Sequence, residues 1–104
     1  MSKVRYILKE EHDRLKRLAA LYQKEIENLP KGSVSLKKRN DNTYVYIAYR
    51  EGKKMKFEYV GKESSPKAVE ISGLIKKRQE KTKQLCEVMA DIRDIKKVLN
   101  DWPK

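Results

Sequence analysis

The chain has 104 residues, 39% of them charged, with 26 Lys and Arg against 15 Asp and Glu for a formal net charge of +11. That is one small domain near the lower limit for a self-sufficient core, and its charge favours polyanionic partners such as a nucleic acid or an acidic membrane surface. One cysteine, Cys86, excludes an intramolecular disulfide and a cysteine-based metal cluster, and no apolar run resembles a membrane span or a signal-peptide core, so residence in the cytoplasm is expected.

Leu8, Leu15, Tyr22 and Leu29 recur every seven residues, with Leu18, Ala19 and Ile26 between them. This spacing predicts a helix over about residues 8–29 with one buried seam. Glu10, Glu11 and Asp13 then fall in its first turns, where carboxylates complement the helix dipole, and Pro30 and Gly32 end it. His12, the single histidine, sits beside the seam with no second ligand or catalytic partner in view.

From Ser33 to Gly61 the apolar period changes to two: Val34 and Leu36, then Tyr44, Tyr46 and Ala48, then Met55, Phe57 and Tyr59. Asn40-Asp41-Asn42 and Glu51-Gly52 punctuate the three runs, and these are residue types that tolerate the positive φ of tight hairpins. A three-stranded β-meander over about residues 33–61 is expected. A three-residue turn at 40–42 sets Leu36 opposite Tyr46, and a two-residue turn pairing Arg50 with Lys53 sets Ala48, Tyr46 and Tyr44 opposite Met55, Phe57 and Tyr59. This register gathers one continuous apolar face and leaves Lys37, Arg39, Val45, Ile47, Tyr49, Lys54, Lys56 and Glu58 on the other. A one-residue slip in either turn would exchange faces.

Ser64-Ser65-Pro66 reads as a helix start, a capping hydroxyl followed by a proline suited to the first helical position. Ile71, Leu74, Leu85, Val88, Ile92, Ile95 and Leu99 extend that helix over about residues 65–100, roughly 50 Å at the usual rise. Such a helix needs a partner along its length. The first helix supplies one if the two run antiparallel, with Leu18 near Leu85 and Leu8 near Ile95. This alignment sets Tyr22 against the break in the second seam at Arg78 and Lys81, where it either packs on one of those cations or faces a bend with both turned to solvent. The expected fold class is α+β: an antiparallel two-helix coiled-coil hairpin with an inserted three-stranded antiparallel β-meander.

Residues 31–83 hold 15 Lys and Arg against 6 Asp and Glu, most of the net charge. Lys37, Arg39, Lys54 and Lys56 on the basic sheet face, and Lys76, Lys77 and Arg78 on the second helix, are the expected phosphate contacts, with Tyr49 as the stacking residue. The expected function is non-catalytic binding of DNA or RNA by that face and the adjoining helix. No phosphate-cradling glycine loop, nucleophile motif or ligand set is present, so neither catalysis nor a cofactor or metal is expected. The alternative is a protein-interaction module, a phage or mobile-element factor docking a host protein or a chain that forms a homodimer. It is motivated by Val45, Ile47 and Tyr49, which make strand two apolar on both faces.

Leu29-Pro30-Lys31-Gly32-Ser33, Tyr44-Val45-Tyr46-Ile47-Ala48-Tyr49-Arg50-Glu51-Gly52-Lys53 and Tyr59-Val60-Gly61-Lys62 resemble the motifs of a small uncharacterised prokaryotic family, over about residues 29–99. The middle strands also resemble the β-rich segment near the N-terminus of some transposases and the three-stranded arm-binding domain of tyrosine integrases. The integrase likeness implies DNA contacts from Lys37, Arg39, Tyr49, Lys54 and Lys56. The transposase likeness implies a binding accessory, since acidic catalytic residues are missing.

Overall fold

The computed structural model describes residues 3–103. In chain order the elements are α1 (Lys3–Glu27), β1 (Ser33–Arg39), β2 (Asn42–Glu51), β3 (Lys54–Lys62) and α2 (Pro66–Asn100). The chain divides into two compact units, one of α1 with α2 from Glu80 onward and one spanning Leu29–Gln79.

In the helical unit, Leu15 and Ala19 of α1 share a buried cluster with Val88 and Ile92 of α2, flanked by Leu18, Tyr22, Leu85 and Ile95. The middle of the expected seam, from Leu15 to Tyr22 and from Leu85 to Ile95, is therefore the part that packs. Its polar break is filled from both sides: the Lys81 ammonium lies 5.2 Å from the centre of the Tyr22 ring and 3.1 Å from Glu25 Oε2. Contacts from late in α1 to Lys81, with Leu15 joining Ile92 farther along, set the two helices antiparallel. One detail departs from expectation. Helix α1 begins at Lys3 rather than near Leu8, so no acidic residue occupies its first turn. Glu11 instead accepts two hydrogen bonds from Arg14, at 2.9 and 2.5 Å. Those bonds hold its carboxyl below the usual carboxylate range.

In the second unit the strands form an antiparallel sheet in the order β1-β2-β3. Both turns differ from the expected ones. The first has two residues, Asn40-Asp41, because Asn40 itself takes the positive φ, at 55°. Arg39 therefore pairs with Asn42, Leu36 with Val45 and Val34 with Ile47. This one-residue slip turns β1 over: Leu36 joins Val45 rather than Tyr46, while Lys37 and Arg39 move to the tyrosine side. The second turn is Gly52-Lys53, with φ of 63° at Gly52. It sets Glu51 opposite Lys54, Ala48 opposite Phe57 and Tyr46 opposite Tyr59. That is a two-residue slip, which changes partners but not faces. A bulge at Val45/Tyr46 then brings Val45 opposite Gly61.

Burial separates the two faces. Val45 is 1% exposed, whereas Met55, Phe57 and Tyr59 are 50, 53 and 54% exposed. Gly61, the register partner of Val45, has the space where its Cβ would stand filled by Ser65 Oγ at 2.9 Å, so the helix start lies on that side. Ser65 Oγ donates to the carbonyl of Lys62 and accepts from the Ala68 N–H, which makes it the cap of α2. The Glu63 N–H donates to the Thr43 carbonyl, tying the connection to the first residues of β2. Ala68 and Ile75, two helical turns apart, are 0 and 1% exposed.

Two stability measurements check these assignments. Val45→Ala removes side-chain volume from a closed site and is expected to cost about 2 kcal/mol. Phe57→Ala, on a ring already half in water, is expected to cost less than about 1 kcal/mol, and urea denaturation giving the reverse order would put the aromatic face inside. In the helical unit, a double-mutant cycle of Tyr22→Leu and Lys81→Met is expected to show a coupling of roughly 0.5–1 kcal/mol; a coupling of zero would reduce the contact to mere proximity.

Candidate nucleic-acid interface

The open face of the meander is built by alternation. Strand β2 contributes Tyr44, Tyr46, Ala48 and Arg50, and β3 contributes Met55, Phe57 and Tyr59 in register with them. The two-residue first turn adds Lys37 and Arg39 of β1, with Lys37 directly opposite Tyr44. Ala48, a methyl group between Ser33 and Phe57, is the buried residue of this face.

The rings hold one another. Tyr59 sits 5.3 Å from Tyr46 and 6.3 Å from Tyr44 between ring centres, tilted by 58° and 49°, a geometry favoured by aromatic quadrupoles. The Lys37 ammonium reaches across the sheet to 4.8 Å from the Tyr46 ring centre and 5.1 Å from that of Phe57. Arg39 and Asn40 line an open, shallow cleft of about 330 Å³ with Tyr44, Tyr46 and Tyr59. Its size is at the small end for a ligand pocket. Chemically, the face offers flat π surfaces, phenolic hydroxyls and cations that are poorly neutralised: Lys37, Arg39 and Arg50 lie on it, while the strand carboxylates Glu51 and Glu58 lie on the other face with their register partners Lys54 and Ile47.

The residues expected from the sequence are thus divided. Lys37 and Arg39 are brought together beside the rings. Lys54, Lys56 and Tyr49 fall on the Val45 face, where Tyr49 is half-buried and Lys56 Nζ makes an ion pair with Glu51 Oε2 at 2.8 Å. Lys76 and Lys77 are exposed on α2, and Arg78 is half-buried. The expected single basic face therefore does not exist as such, because its β1 part belongs to the opposite side of the sheet. The motive for a protein partner also changes, since Val45 is covered within the chain itself. Sequence reasoning missed the open position of Phe57 and Tyr59, which are exposed, and of Tyr44 and Tyr46, which are half-buried beside them, by taking their alternation as one apolar core face. The available signal was composition: three of those four aromatics carry a hydroxyl, a polar handle that suits a surface with a wet side.

Among the described residues no group of three or more His, Cys, Asp or Glu is placed to hold a metal ion, and no helix is long and apolar enough to cross a membrane. The fold and this face define a small α+β protein, a helical hairpin with an inserted β-meander that leaves one sheet face open. A family model for a domain of unknown function, DUF6788, matches residues 7–70, and the chain belongs to that family. The matched stretch takes in most of α1, the whole meander and the first turn of α2, so the open face is part of the family domain. No curated protein and no solved structure matches the chain.

Proposed function

We propose that the chain is a non-catalytic nucleic-acid-binding protein of the cytoplasm, and that its contact surface is the open face of the meander. One observation carries this reading: Lys37, Arg39 and Arg50 share that face with exposed rings, and both strand carboxylates lie on the other side. A polyanion approaching the sheet meets unneutralised cations on one face and mixed charge on the other. Phosphates supply most of the affinity of such contacts, largely without regard to sequence. Arg39 suits them best, because its planar guanidinium can bind a phosphate with two hydrogen bonds and can also lie flat against a base. Lys76 and Lys77, both exposed on α2, add to the positive potential that draws the ligand in.

Fluorescence anisotropy with labelled DNA and RNA oligonucleotides at several salt concentrations tests the reading. Micromolar binding, weakening steeply with salt, is expected. The double variant Lys37→Glu/Arg39→Glu should lower affinity at least tenfold and make the log-log salt slope shallower by about two, with an unchanged circular-dichroism spectrum. Lys54→Glu/Lys56→Glu should cost less. Absence of binding by the unaltered chain would overturn the proposal, and a larger loss from the second double variant would overturn the choice of face.

A further inference from the structure

Resting on that reading, we infer that the preferred ligand is a single strand, held with about two or three of its bases stacked on Tyr46, Phe57 and Tyr59 and its phosphates along the β1 side. A surface shaped for duplex backbone needs cations spread along two rows of phosphates, and base pairs in a duplex present only their edges to a protein. Here Arg39 on β1 and Arg50 at the far end of β2 stand at the margins, Lys37 reaches from β1 over Tyr46 and Phe57, and rings fill the centre. Phe57 and Tyr59 keep 53 and 54% of their surface exposed, so a flat group can lie on them. An unpaired base is such an object, and every base has a π face, so the platform would accept any sequence.

The placement of charge gives the strand an orientation across the sheet. Lys37 and Arg39 lie on β1, the edge strand, and the rings lie on the neighbouring β2 and on β3 beyond it. A strand running along β1 would have its phosphates on the two cations and its bases turned inward over Tyr46 and then over Phe57 or Tyr59. The cleft bounded by Arg39, Asn40, Tyr44, Tyr46 and Tyr59 would take one base at its end, with the Asn40 amide at its edge. Lys37, already over two rings at 4.8 and 5.1 Å, would exchange one cation–π contact for a phosphate as the base enters.

Anisotropy titrations with single-stranded DNA, single-stranded RNA and duplex DNA of equal length, at one salt concentration, test the inference. Single strands are expected to bind at least tenfold more tightly than duplex. Tyr59→Leu and Phe57→Leu, which keep apolar bulk but remove the ring, should each weaken single-strand binding on the order of tenfold or more, whereas Tyr59→Phe should restore it. A measurement on the unaltered chain guards against loss of fold in the variants: photocrosslinking to an oligonucleotide carrying 4-thiouridine should label peptides of β2 and β3. Equal affinity for duplex and single strand, ring variants without effect, or crosslinks confined to α2 would overturn the single-strand inference while leaving salt-dependent nucleic-acid binding intact. No binding of any of the three ligands would overturn both.

Discussion

The parity of the first hairpin decides the character of this molecule. With two residues in the turn, β1 presents Lys37 and Arg39 beside the tyrosines and Leu36 beside Val45; with three, all of these would change sides. The two-residue turn closes because Asn40 accepts a positive φ, for which asparagine is better suited than most residues with a side chain. A single backbone conformation thus converts a strand with cations on one side into half of a mixed aromatic and basic face. The second hairpin is less decisive, since its shift from the expected register is by two residues and preserves the faces.

Much of the architecture was legible because it rests on strong periodicities. A seven-residue repeat in α1 and a matching one in α2 specify a shared seam, and alignment of two stretches of equal length brings Tyr22 to the break at Arg78 and Lys81, although the pattern does not choose between the two cations or between packing and a bend. The strands were legible by their period of two and their bounding turn residues. What could not be read was which face of the sheet would be covered. Alternating runs such as Tyr-Val-Tyr-Ile-Ala-Tyr are apolar on both sides, and pattern alone assigns the larger residues to the core. The structure buries Val45 instead, and places Ser65, the cap of α2, on that side at Gly61. Turn length was the other unreadable quantity, since Asn40-Asp41-Asn42 can form a turn of two residues or of three.

Two glycines in the resemblance motifs acquire a physical meaning from the same geometry. Gly32, at φ of 113°, has the Ala48 carbonyl oxygen 2.8 Å and Ile47 Cγ2 2.9 Å from where its Cβ would stand, and Gly61 has Ser65 Oγ at 2.9 Å. The first lets the chain enter β1 hard against the end of β2, and the second makes room for the hydroxyl that caps α2. Both are close-approach positions that a side chain would spoil. They hold the chain at close approach where it enters β1 and where it leaves β3.

A unit built from three strands and the first turns of one helix can cover one sheet face and no more. An open face is therefore a consequence of size, but its composition is not. Solubility alone would be served by Lys, Glu and Thr, as the charged residues of β3 on the opposite side illustrate. Instead the open side places Tyr46 and Tyr59 directly opposite each other, and cross-strand aromatic pairs contribute roughly 0.2–1 kcal/mol each to a sheet. Such pairing packs the rings against each other while Tyr59 stays exposed and Tyr46 half-buried. A ligand that stacks on them then meets side chains whose freedom is already restricted, and the entropic cost of ordering an interface falls mainly on the ligand. Rings fixed by one another and a cation held over two of them make the face a preorganised surface rather than an exposed core.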